Sequence, residues 1–168
     1  MNKIGVFYGS TTGTTEDVAH RIAEKLNVPQ GDIDDVSVLT DALVKEYDVL
    51  VLGTSTWGAG ELQDDWYDGV KVLKKADLTH KFVALFGCGD SDSYADTFCD
   101  GIGILYEDLK ASGCTFVGAV DTAGYTFDSS VAVVNGKFMG LPIDEVNEDG
   151  QTDERITQWV EILKKEIN

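Results

Sequence analysis

Short runs rich in β-branched and aromatic residues alternate with helical periodicities from one end of the chain to the other. This alternation constrains the fold more than any other feature, because strands separated by helices cannot pair through tight hairpins. They form a mostly parallel sheet covered by helices on both faces, an α/β architecture. Ile4 to Tyr8, Val49 to Leu52 and Phe82 to Phe86 are almost wholly apolar, as central parallel strands buried on both faces must be. Ile33 to Val38 reads Ile-Asp-Asp-Val-Ser-Val and is polar enough for a sheet edge. Cys114 to Gly118 supplies a fifth strand.

Between the strands, Val18, Ala19, Ile22, Ala23 and Leu26 share one helical face, and Asn27 followed by Pro29 marks its end. Phe98, Ile102, Leu105 and Leu109 share a face of a later helix, as do Ile156, Trp159, Val160, Leu163 and Ile167 near the end of the chain. That last helix opens on Thr152, Asp153 and Glu154 and closes on Lys164 and Lys165, matching the helix dipole at both ends. From about residue 119 to 139 the alternation breaks before Gly140-Leu141-Pro142-Ile143, as expected of an insertion. Inside it, Asn135-Gly136 between two apolar runs is a hairpin signal, since both residues tolerate positive φ. At 168 residues, with no linker, repeat or low-complexity segment, a single domain over residues 1–168 is expected.

No apolar run approaches the roughly 20 residues of a spanning helix. Met1-Asn2-Lys3 leads straight into Ile4 without a signal cleavage site, so the cytoplasm is the expected compartment. Cys88, Cys99 and Cys114 are odd in number and lack C-x-x-C spacing, and His20 and His80 stand alone, so neither a disulfide framework nor a metal site is expected. Lys and Arg number 13 against 30 Asp and Glu, a formal net charge of −17. Such a chain repels nucleic acid and anionic membranes and suits partners with basic surfaces. Acidity serving solubility alone is the competing reading.

In open parallel sheets, ligands sit beyond the carboxyl ends of the strands, so three loops matter most. The first, Gly9-Ser10-Thr11-Thr12-Gly13-Thr14-Thr15-Glu16, opens directly into a helix and offers five hydroxyls beside the positive end of its dipole. That suits a phosphate monoester, although no Lys or Arg is present to neutralise it; a triphosphate loop would need G-x-x-x-x-G-K-[ST]. Helix capping alone would also explain the hydroxyls. The second loop, Gly53-Thr54-Ser55-Thr56-Trp57-Gly58-Ala59-Gly60, sets a large aromatic among small residues; its G-x-S start is no nucleophile elbow, because Trp57 takes the closing glycine. The third, Gly87-Cys88-Gly89-Asp90-Ser91-Asp92-Ser93-Tyr94, presents a second aromatic. Two aromatics on neighbouring loops can sandwich a planar ring, each adding about 1 kcal/mol beyond its buried area.

Taken in order after their own strands, these motifs resemble the flavodoxins over nearly the whole chain. Ser10-Thr11-Thr12-Gly13-Thr14-Thr15 is similar to the family pattern T/S-x-T-G-x-T, which the resemblance casts as the FMN phosphate loop. Trp57, preceded by Ser55 and Thr56, resembles the inner stacking aromatic, and Tyr94 the outer one. Cys88-Gly89-Asp90 resembles the segment bordering the pyrimidine end of the flavin, and Gly58, Ala59 and Gly60 its edge. The interrupted fifth strand resembles the long-chain subgroup. The resemblance also implies a doubly wound five-stranded sheet in the order 2-1-3-4-5, which belongs to the family and is not read from these residues.

The function implied is a low-potential electron carrier cycling non-covalent FMN between semiquinone and hydroquinone. It would be a monomer with no substrate of its own, serving flavin- or iron–sulfur-containing reductases and acceptors. Charge agrees with the direction: Glu61, Asp64, Asp65, Asp68, Asp90, Asp92 and Asp96 disfavour an anionic reduced flavin. At an effective dielectric of about 40, one carboxylate roughly 12 Å away costs about 0.7 kcal/mol, or some 30 mV, before screening. The resemblance further implies a peptide rotation at Gly58, which glycine makes inexpensive. Two alternatives compete. An FMN-dependent NAD(P)H:quinone-type reductase would want a second nucleotide site, and no G-x-G-x-x-G is present; a phosphoacceptor module would want an aspartate where Gly53 to Thr56 stand.

Overall fold

The structure, a computed structural model, describes residues 2–57 and 59–167. In chain order, β1 (Ile4–Gly9) is followed by α1 (Thr14–Lys25), β2 (Ile33–Asp35), α2 (Asp41–Lys45) and β3 (Val49–Trp57). Next come β4 (Glu61–Leu62), α3 (Trp66–Lys75), β5 (Phe82–Cys88), α4 (Asp100–Leu109) and β6 (Thr115–Val117). Three short strands, β7 (Val120–Asp121), β8 (Val133–Val134) and β9 (Lys137–Phe138), precede β10 (Leu141–Ile143) and α5 (Thr152–Ile167).

β2, β1, β3 and β5 lie side by side in that order and are mutually parallel. Beyond β5 two strands share one position: β6 pairs with Phe82–Ala84 and β10 with Phe86–Cys88, both parallel. The fifth strand is therefore split, and counting its halves as one position gives the order 2-1-3-4-5. Residues 118 to 140 leave the sheet between the halves and fold partly into the antiparallel trio β7-β9-β8, with Asn135-Gly136 as its turn; Asn135 and Gly136 both have positive φ. The expected bounds of 119 to 139 fall one residue inside the observed ones at each end.

The two-residue period of the strands builds two apolar layers. Val6, Val49, Val51, Ala84 and Phe86 face α1 and α5, where they meet Val18, Ile22, Trp159 and Leu163. Phe7, Leu50, Leu52, Val83 and Leu85 face the opposite way, toward Trp66 and Leu73 of α3 and Ile102 and Leu105 of α4. Helix α3 has no counterpart in the periodicities noted above.

Two expectations are corrected. The second strand ends at Asp35, because the Asp35 carboxylate accepts from the Ser37 N–H at 2.8 Å and curls Val36–Val38 into a 3₁₀ turn. It does lie at the sheet edge. Phe98 is buried but stands before α4, not on it; its ring stacks on Phe127 and meets Phe138 edge-on, so the inserted segment and not the helical face claims it.

Gly53, at the point where β3 approaches the loops, lies under the Phe86 ring: a Cβ there would fall 2.0 Å from Phe86 Cζ. Gly53→Ala should destabilise the chain by about 2 kcal/mol or more in urea unfolding, and adding Phe86→Leu should recover part of the loss. Undiminished stability of the single variant would contradict this packing.

Candidate functional site

Parallel pairing of β1, β3 and β5 delivers all three glycine- and hydroxyl-rich loops to one edge of the sheet. They enclose a cavity of about 350 Å³. Thr12 and Thr14 come from the first loop, Ser55, Thr56 and Trp57 from the second, and Cys88, Gly89, Asp90, Tyr94 and Thr97 from the third. A fourth wall, Glu145 and Val146, follows β10. That wall is absent from the sequence reading, although the same strand-end rule, applied to the second half of a split fifth strand, points to it. Another cavity of about 330 Å³ lies between the inserted segment and α5 and shares no residue with this one.

At one end of the site α1 begins. Gly13 occupies its N-cap position at φ +93° with no side-chain cap, so the first-turn N–H groups are available to an anion. Ser10 Oγ accepts from Gly13 N–H at 3.1 Å and shapes the turn, and Thr11 Oγ1 accepts from the Gln63 amide at 3.2 Å. Thr15 differs from both: it is 1% exposed, and its hydroxyl has no hydrogen-bond partner among the described residues. Burial pushes the neighbouring Cys88 thiol up to about 12, opposed only in part by the adjacent Thr15 hydroxyl, so the thiol stays neutral and is at best a weak partner for that hydroxyl. A buried hydroxyl without a partner costs about 1–3 kcal/mol, which a ligand oxygen could relieve.

Two aromatics line the same cavity. Trp57 is 40% exposed and Tyr94 53%, large apolar rings left open to solvent. Trp57 Nε1 donates to Ser55 Oγ at 2.6 Å, which pins the indole, while Thr56 Oγ1 accepts from the first-turn N–H of Gly101. The turn after Trp57 closes by Gly60 N–H donating to Trp57 O at 3.1 Å. Gly60 needs to be glycine twice over, since its φ is +91° and a Cβ would meet the Asp100 carboxylate at 2.5 Å. Ala59 is exposed, and Gly58 lies outside the described residues. Burial pushes the Asp100 carboxyl up from its ordinary value even though it accepts from Val131 N–H at 2.9 Å. Of the expected site residues, Thr12, Thr14, Ser55, Thr56, Trp57, Cys88, Gly89, Asp90 and Tyr94 line the cavity, whereas Ser10, Thr11, Gly13, Thr15, Ala59 and Gly60 are not among its lining.

The family model for flavodoxins matches residues 6–159. The chain belongs to the flavodoxin family. It is 44% identical to flavodoxin 1 of Azotobacter vinelandii, with 99% of this chain and 98% of that one aligned. It is likewise 44% identical to a flavodoxin of a Nostoc species, over 98% and 97% of the two chains. Among solved structures, Fusobacterium nucleatum flavodoxin bound to flavin mononucleotide superposes with a TM-score of 0.90 at 33% identity, covering 99% of both chains.

The feature of this flavodoxin least visible in sequence is Asp144, fully buried behind the fourth wall. Its carboxylate accepts from the N–H and hydroxyl of Ser91, from Val146 N–H and from the backbone and side-chain amides of Asn147. Burial works against the ionised form, but the hydrogen bonds from Ser91 and Asn147 outweigh it and hold the carboxyl below the usual aspartate range. The stability this provides is fully present above the unfolded value of about 3.9 and is lost as pH falls through the depressed folded value. The stability gap between wild type and Asp144→Ala in urea should therefore be widest near neutrality and narrow below about pH 4. An equal gap at both ends would contradict an ionised Asp144.

Proposed function

We propose that the chain is an electron carrier that holds one FMN, without a covalent bond, in the cavity at the carboxyl ends of β1, β3 and β5. One observation carries the assignment of its residues: the uncapped start of α1, where the Thr15 hydroxyl is buried without a geometric partner, adjoins through Thr12 and Thr14 the same cavity that two half-exposed aromatics line. That is a place for an anion joined to a place for a flat ring. FMN has both. When bound, it supplies one-electron chemistry through its ring.

Ser10, Thr11, Thr12, Gly13, Thr14 and Thr15 are the phosphate loop of this reading. Hydroxyls, N–H groups and the α1 dipole stand in for the missing cation; of the two cations on the same helix, Arg21 is engaged with Glu145 at 2.7 Å and Lys25 lies 3.5 Å from Asp153. Trp57 and Tyr94 stack on the ring, with Ser55 and Thr56 fixing the inner aromatic. Gly58, Ala59 and Gly60 form the ring's edge, and Cys88, Gly89 and Asp90 border its polar end. The quinone-reductase alternative is not favoured, since the family matched over nearly the whole chain is that of the flavodoxins.

The split fifth strand supports membership of the long-chain subgroup. The net charge of −17 supports partners with basic surfaces; a monomeric, cytoplasmic carrier built as one domain over residues 1–168 completes the proposed reading. Among the described residues no helix is long and apolar enough to cross a membrane.

Two outcomes test the reading. Thr15→Val loses at most a weak contact to the Cys88 thiol, so it should leave apo-protein stability nearly intact while weakening FMN binding about tenfold or more and riboflavin binding hardly at all. Fluorescence titrations showing equal affinity for FMN and riboflavin in the wild type would remove this loop as the phosphate site. Electron transfer with a basic partner should slow steeply as ionic strength rises; stopped-flow rates indifferent to salt would leave acidity with solubility alone.

A further inference from the structure

Tyr94 sits on a loop with few apolar anchors of its own, and two sets of hydrogen bonds decide where that loop runs. After Tyr94, Ala95 O accepts from the N–H groups of Asp128 and Ser129, at 2.9 and 3.0 Å, which pins the chain to the inserted segment. Before Tyr94, the anchorage is polar and converges on the fully buried Asp144. Asp144 receives Ser91 through its N–H and hydroxyl, and Asp90 Oδ1 accepts from Ser93 N–H at 2.9 Å and from Asn147 Nδ2 at 2.8 Å. The Asn147 side chain thus lies between two carboxylates, reaching Asp144 Oδ2 at 3.1 Å. Only its amide nitrogen can face both, so its two hydrogens are shared between the two loops. The base on which this rests is itself fixed: Glu145 is tied to Arg21 of α1, and Glu148 to Arg155 of α5.

We infer that Asp144 and Asn147 are positioning residues for FMN binding, clasping the loop before Tyr94 against the loop after β10 and so fixing where the Tyr94 ring stands relative to Trp57. This rests on the FMN reading given above. Neither side chain lines the cavity, and neither is needed to complete a strand. Charge-assisted hydrogen bonds shared between two loops, one of them carrying a half-exposed ring, preorganise that ring and reduce the ordering left for the ligand to impose. With the clasp gone, the loop keeps its anchorage to the inserted segment at Ala95, Asp96 and Phe98 and its internal bonds to Asp90, but loses the side-chain tie that holds it to the loop after β10.

A double-mutant cycle on FMN affinity separates this role from general support of the fold. Apo-proteins of the wild type, Asn147→Ala, Tyr94→Ala and the double variant are titrated with FMN, following flavin fluorescence. Asn147→Ala should raise the Kd about tenfold when Tyr94 is present and less than about twofold in the Tyr94→Ala background, where no ring remains to be positioned. Ser91→Ala should reproduce part of the loss and Ser91→Thr, which keeps the hydroxyl, should restore it; this pair decides the matter if circular dichroism shows that Asn147→Ala does not fold. An unchanged Kd, or the same factor in both Tyr94 backgrounds, would overturn the clasp while leaving FMN binding in place. A wild-type chain that takes up no FMN would overturn the functional reading first, and the clasp with it.

Discussion

The parallel pairing of β1, β3 and β5 is the constraint on which the rest depends. In a parallel sheet every strand leaves by the same edge, so loops far apart in sequence start within a few strand spacings of one another. The register of Gly9 with Thr54, and of Ser55 with Cys88, sets the hydroxyl loop, the tryptophan loop and the tyrosine loop in one row. Burial on both faces fixes that register, since a one-residue slip would turn each apolar layer inside out. Site geometry is thereby inherited from core packing, and Gly53 beneath Phe86 shows how closely the two are joined.

Electrostatics then divides the labour. A phosphate would meet only neutral donors and a helix dipole, whereas the surroundings carry many carboxylates and the chain as a whole is strongly acidic. Local dipoles act over a few ångströms and a net charge acts over roughly a Debye length, so a chain can hold a small anion and still repel anionic macromolecules. Asp144 shows the same balance on a smaller scale: it is buried yet ionised, because enough N–H and O–H groups converge on it to offset the loss of water.

Much of this was legible in sequence, for reasons that differ from element to element. Central strands announce themselves by unbroken apolar runs, and α1 and α5 by a face of period 3.6. The split strand was visible because an insertion interrupts a regular alternation. Local side-chain bonding was not: Asp35 ends β2 one turn early, and Phe98 is claimed by aromatic residues of the inserted segment some thirty and forty positions later. In the site, motifs made of adjacent residues could be read off, whereas Gln63, Asp100, Asp144 and Asn147 could not. Each has a partner far away in sequence, respectively Thr11, Val131, Ser91 and Asp90, and a lone Asp or Asn carries no period that would betray its burial.

The central claim is that one FMN occupies this cavity. Its most direct test is the visible spectrum of the purified chain after incubation with excess FMN and desalting. The account predicts a flavin absorbance band corresponding to one FMN per chain that survives desalting and is lost when Trp57 and Tyr94 are both replaced by alanine. A wild-type chain that emerges colourless, or one whose bound flavin is indifferent to those two rings, would contradict it.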